Sequence, residues 1–106
     1  MTRWPIPEAA SMAINVSLVN FTDQGIRNIK ESPARNKAFR ELCKKHGVTV
    51  RDIYYTTGPY DLVVITEGAE DALTTVLLSV GKLGNVRTQS MRAMDFETFQ
   101  RIVEKV

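Results

Sequence analysis

The sequence predicts an α+β domain of the ferredoxin-like type, a βαββαβ order on one four-stranded antiparallel sheet with a further helix at the C-terminus. Three observations lead there. Apolar residues alternate with period two from Ala13 to Phe21, the mark of a strand, and three further segments read as strands. Two segments between them carry apolar positions at helical spacing. The second and third strands are joined by a short Gly58-Pro59 connection, which requires an antiparallel pair.

Each element has its own signals. From Ala13 to Phe21, Ile14, Val16 and Leu18 point one way, and Asn15, Ser17, Val19 and Phe21 the other. Thr22 is a good N-cap for a short helix, and Asp23 suits the positive end of the helix dipole. Pro33 cannot sit inside a continuous helix, so a break is expected at Ser32, with Ser32 capping a second helix and Pro33 at its first position. Ala38, Phe39, Leu42 and Cys43 share a face of that helix, and Gly47 ends it. Val48–Thr57 and Tyr60–Glu67 form the hairpin. Ala69–Val80 is a helix with a buried stripe of Leu73, Val76, Leu77 and Val80. Val86–Ala93 is the fourth strand. Asp95 caps a short tail helix carrying Phe96, Phe99, Ile102, Val103 and Val106.

Right-handed crossovers place both long helices on the same sheet face. The other face is left bare. On the third strand Leu62 and Val64 are apolar, and so are Val63 and Ile65, so both faces want cover. Self-association as a homodimer or higher oligomer is the expected remedy.

With 106 residues the chain is expected to hold one small domain, with residues 13–106 as its body and residues 1–12, which include Trp4-Pro5 and Pro7, as an extended arm. A hydrophobic share of 43% with 25% charged residues indicates a globular chain. The net charge of +2 is too mild to argue for nucleic acid. No apolar run is long enough to cross a bilayer, and the first residues lack the apolar centre of a secretory signal. One cysteine allows no intramolecular disulfide, which fits a cytoplasmic setting. One histidine and one cysteine make no usual zinc site within a chain, and neither metal nor cofactor is expected. His46 suits a helix C-terminus as a cation, and Cys43 reads as a buried, inert thiol. The basic residues from Lys30 to Lys45 are interrupted by Glu31 and Glu41 and read as a solvated face. Val76 and Leu83 occupy the positions where a phosphate loop around Gly81-Lys82 would need Gly and Ser/Thr.

The stretch TTGPYDLVVI poses the sharper question, because Asp61 opens an apolar strand directly after a turn. Either its carboxylate accepts backbone N–H bonds at the hairpin, or it faces an enclosed space with a ligand. Arg87 can pair with it or hold an anion bidentately. Gly58 shapes the turn and Tyr60 helps to fix it. Asn15, Ser17, Tyr55 and Gln89 are expected to add donors and acceptors to the enclosed face, a facing that rests on alternation alone.

The segment VSLVNFTDQGIRNIKESPAR, the run Gly58-Pro59-Tyr60-Asp61 and GNVRT at Gly84–Thr88 resemble the GYD-domain family, in three separated motifs in the right order. The resemblance runs from about Met12 to the C-terminus and implies the dimeric α/β-barrel superfamily. Gly58, Pro59, Tyr60 and Asp61 fill the family's Gly, variable, aromatic and Asp positions without departure. TTGPYDLVVITEG and GNVRTQS are also similar to the effector-binding half of Lrp/AsnC-type regulators, which implies an amino-acid pocket between subunits beside the turn. No helix-turn-helix pattern precedes Ala13, so the implied role is a sensor and not a repressor.

Three functions follow as expectations. The first is a small-molecule binding or sensing homo-oligomer with its pocket near the Gly-Pro-Tyr-Asp turn. The second is a cofactor-independent enzyme of isomerase or oxygenase type, for which only Asp61 with Tyr60 or Arg87 supplies a base and partner. The third is a structural assembly module without a ligand.

Overall fold

A computed structural model describes residues 12–106, and the arm expected at the N-terminus lies outside the described residues apart from Met12. The chain runs β1 (Met12–Phe21), α1 (Asp23–Arg27), a 3-10 turn (Ile29–Glu31), α2 (Ser32–Lys45), β2 (Thr49–Tyr55), β3 (Leu62–Ala69), α3 (Glu70–Gly81), β4 (Val86–Ala93) and α4 (Phe96–Val103). The strands form one sheet in the order β2-β3-β1-β4, with every neighbouring pair antiparallel. This is the ferredoxin-like α+β arrangement with an added C-terminal helix.

Most boundaries fall within two residues of expectation, and β4 matches it. At the start of α2, Ser32 is helical (φ −56°, ψ −41°) and its side chain caps nothing. The 3-10 turn already ends on it, so Ser32 is the first residue of the helix and Pro33 the second. The other end matches a Schellman close. Val48 N–H bonds the Cys43 carbonyl at 2.8 Å, Gly47 N–H bonds that of Lys44 at 3.2 Å, and Gly47 takes φ +70°. A bulge between Val50 and Asp52 leaves Arg51 unpaired and keeps Ile53 and Tyr55 on the same side as Val50.

Register settles which face is which. Ser17 lies between Val64 and Ser90, and Val19 between Leu62 and Thr88. The mixed side of β1 therefore meets the helices: Ala13, Ser17 and Val19 are buried, with Val64 and Thr66 beside them on β3. A cluster of Ala13, Cys43, Val48, Leu73 and Val76 ties the two layers together, with Phe39, Leu42, Val50 and Val80 packed around it. Burying a side chain the size of Leu73 contributes about 1.5–3 kcal/mol. Ala38, expected on the buried stripe, is exposed.

The opposite face carries Ile14, Val16 and Leu18 of β1, Val63 and Ile65 of β3, Tyr54 of β2 and Met91 of β4. No helix covers it. The tail helix α4 is also uncovered on its apolar side, where Phe96 is 74% exposed and Phe99 54%. No helix among the described residues is long and apolar enough to cross a membrane.

Candidate functional site

The end of β1 is where the chain's turn-forming segments meet. Gly58 adopts φ +130°, a conformation that glycine reaches without strain, and this opens the connection between β2 and β3. Thr56 closes it: its N–H donates to the Asp61 carbonyl at 2.8 Å and its hydroxyl to the Tyr60 carbonyl at 2.5 Å. Asp61 then fastens the connection to β1. Its N–H donates to the Val19 carbonyl at 2.9 Å, and its Oδ2 accepts the Phe21 N–H at 2.9 Å. The carboxylate extends the sheet's hydrogen bonding past the last regular pair, Val19 with Leu62.

The start of β4 is tied to the same end of β1. Thr22 N–H donates to the Asn85 carbonyl at 3.0 Å. The Thr22 hydroxyl donates to the Gly84 carbonyl at 2.6 Å and accepts the Gly25 N–H at 3.1 Å as helix cap. Gln24 Nε2 donates to the Leu83 carbonyl and to Asn85 Oδ1. Gly25 is buried so closely against Asn85 that a Cβ there would overlap its backbone carbonyl. Arg35 reaches over the corner from α2 and donates to the carbonyls of Asn28 and Gly25 at 3.1 and 3.2 Å.

The sequence-expected site residues fall on two sides of the sheet. Asn15, Ser17 and Tyr55 are on the helix side. Asn15 Nδ2 donates to Ser17 Oγ at 3.0 Å, Ser17 Oγ lies 3.2 Å from Ser90 Oγ, and Tyr55 Oη accepts from Asn36 Nδ2 at 3.1 Å. Gln89 and Arg87 are on the open side, where Tyr60 Oη donates to Gln89 Oε1 at 3.0 Å. The single enclosed face expected for Asn15, Ser17, Tyr55 and Gln89 is thus corrected for Gln89, because it pairs with Leu18 and shares its outward side. Among the described residues Arg87 forms no ion pair; the pairs present are Arg35 with Glu31 and Arg92 with Glu70. Gly58 and Asp61 belong to the connecting corner itself.

Between the sheet and the helices lies a cavity of about 530 Å3. Ser17, Val19, Val64 and Thr66 form its sheet wall, and Phe39, Leu42, Leu77 and Val80 contribute from the helices. Tyr55 and Leu62, which flank the Gly58–Asp61 connection, line it, as do Phe21 and Asn85 from the corner. Sequence reasoning found the corner's pieces but not the cavity. Thr22 was legible as a helix cap, whereas its second bond, to Gly84, joins residues distant in the chain.

Burial raises the Cys43 thiol to about 11, with Arg40 opposing the rise. Asp95 is held below the usual carboxylate range by the Thr98 hydroxyl and backbone N–H. Among the described residues no group of three or more His, Cys, Asp or Glu is placed to hold a metal.

The fold and its corner define a small ferredoxin-like domain with one covered sheet face and one open one. The GYD domain model matches residues 16–103, and the chain belongs to that family. It is also 35% identical over 82 residues to the glutamine synthetase and cystathionine beta-lyase binding protein of Thermus thermophilus, covering 74% of this chain and 85% of the relative.

Proposed function

We propose that the protein is a small-molecule binding or sensing homo-oligomer whose pocket is the cavity beside the Gly58–Asp61 corner. The observation that carries this reading is the cavity itself. Its volume of about 530 Å3 suits a small organic molecule. Ser17 and Tyr55 offer polar groups toward it, with Asn15 orienting Ser17. Gly58, Tyr60 and Asp61 shape the adjoining corner. Arg87 and Gln89 would meet a ligand only where the open faces of two subunits come together.

Self-association is supported by the open face, whose centre is Val16, Leu18, Val63 and Ile65. Apolar surface of that kind is stabilised by removal from water. Two such sheets face to face make the dimeric α/β barrel. Association rather than turnover is favoured because the Asp61 carboxylate is already engaged by the Phe21 N–H, and a general base must reach its substrate's proton. A cytoplasmic setting fits a chain whose one cysteine is a buried thiol.

The relative's name favours a second reading, in which an oligomer of this chain docks on an enzyme such as glutamine synthetase or cystathionine beta-lyase. Light scattering at micromolar concentration is expected to give a dimer or larger, and a folded monomer would remove the oligomer. A ligand screen is expected to raise the melting temperature with a compound that enters the cavity. Titration calorimetry against the two purified enzymes tests the docking reading separately.

A further inference from the structure

We infer that the cavity between sheet and helices takes an amphipathic anion, a molecule with an apolar body and one carboxylate. The inference rests on the binding reading above and adds the chemical class of ligand. Most of the lining is apolar: Val19 and Val64 below, Phe39, Leu42, Leu73 and Val76 above. An apolar body is therefore favoured by burial in proportion to the area removed from water.

Charge selects the other end of the molecule. Among the described residues the lining includes Arg35, Lys45, His46 and Lys82, and neither an aspartate nor a glutamate. Arg35 is committed to the carbonyls of Asn28 and Gly25. Lys45 and Lys82 are exposed, each at the C-terminal end of its helix, where their ammonium groups make the cavity's borders attractive to an anion and repulsive to a cation. A low-dielectric wall beside such charges strengthens the preference.

A polar side chain in the wall makes an independent point. Thr66 is 5% exposed and lines the cavity from the sheet. Its hydroxyl enters none of the hydrogen bonds among the described residues, whereas Ser17, one pair further along the sheet, is bonded twice. No buried side-chain nitrogen or oxygen among the described residues lacks a partner, so the Thr66 hydroxyl is reached by solvent and is free to bond a carboxylate or a carried water that enters the cavity.

The test uses the whole protein and three probes of one chain length: decanoate, decanol and decylamine at neutral pH. Titration calorimetry gives the affinities. Methyl NMR locates each probe by comparing Val19, Val64, Leu73 and Val76 with Val16, Leu18, Val63 and Ile65 on the open face. Decanoate is expected to shift the first set and to bind about tenfold or more tightly than decylamine, a difference of roughly 1.4 kcal/mol. The Lys45→Glu, Lys82→Glu double variant is expected to lose that preference while decanol binds as before. If decanol or decylamine enters the cavity as tightly as decanoate, the anion assignment falls and the binding reading stands. If no probe shifts either set of methyls, the anion assignment falls, and the binding reading is then decided by the ligand screen. Shifts confined to the open face overturn the cavity as the site.

Discussion

The Asp61 Oδ2 lies 2.9 Å from the Phe21 backbone nitrogen, so a side chain from the β2–β3 connection holds the last residue of β1. The bond explains why a carboxylate opens an otherwise apolar strand. Phe21 N–H sits where β1 turns away into α1, and no regular β3 partner pairs with that residue. The two segments that Asp61 joins are 40 positions apart in the chain.

Removing that carboxylate is expected to loosen the corner. Asp61→Ala deletes the acceptor and leaves the half-buried Phe21 N–H without a protein partner, a cost of about 1–3 kcal/mol. Asp61→Asn keeps an acceptor oxygen and is expected to cost less. Urea denaturation of both variants measures this, and an Ala variant as stable as the parent would refute the structural role.

Gly25→Ala is expected to be among the most harmful single-methyl additions in the chain. The new Cβ would overlap the Asn85 carbonyl, which is also the acceptor for Thr22 N–H. Backbone on both sides must move, at a cost of about 2–3 kcal/mol or more. Gly81→Ala, with nothing near its would-be Cβ, is the control and should be neutral or slightly stabilising.

Cys43 should resist alkylation at neutral pH. Its side chain is fully buried and its pKa is pushed up to about 11, so the reactive thiolate is scarce. Iodoacetamide is expected to label the protein only at the rate at which it opens. The raised pKa also sets a sign: the folded state keeps the thiol proton that the unfolded chain releases near 9. This contribution to stability is full below that pH and is lost progressively as pH rises toward 11. Cys43→Ala should abolish that alkaline loss, at a cost of about 1 kcal/mol for the small cavity it leaves.

Acid should act on the tail through its cap. Asp95 Oδ1 accepts the Thr98 N–H at 2.8 Å and caps α4, which lowers the carboxyl's pKa. A depressed pKa contributes stability above the unfolded value and loses it as pH falls through the folded one. Protection of the amides in residues 97–103, measured against their intrinsic exchange rates, is expected to fall as pH drops below about 4, the ordinary aspartate value. In Asp95→Asn this acid step should disappear, since asparagine caps without titrating.

The sequence alone determined the order of elements, because each is encoded by local rules. Period-two alternation marked β1, Pro33 and Gly47 bounded α2, and Asp95 announced α4 through its position before an apolar helical stripe. The ferredoxin-like topology followed from the short β2–β3 link and the handedness of the crossovers. Alternation also split β1 into its two faces, but it could not tell which one the helices would cover, since both were partly apolar. Only the tertiary structure decided that Ser17 and Val19 turn inward while Val16 and Leu18 remain open, and that Gln89 falls on the open side from Ser17. It alone brought Asp61 to Phe21 and Thr22 to Gly84. A hydrogen bond across tens of residues has no local periodicity, because it depends on where two strands end relative to each other. The cavity is likewise a property of layer spacing: it is set by how far α2 and α3 stand from the sheet, which no single segment encodes.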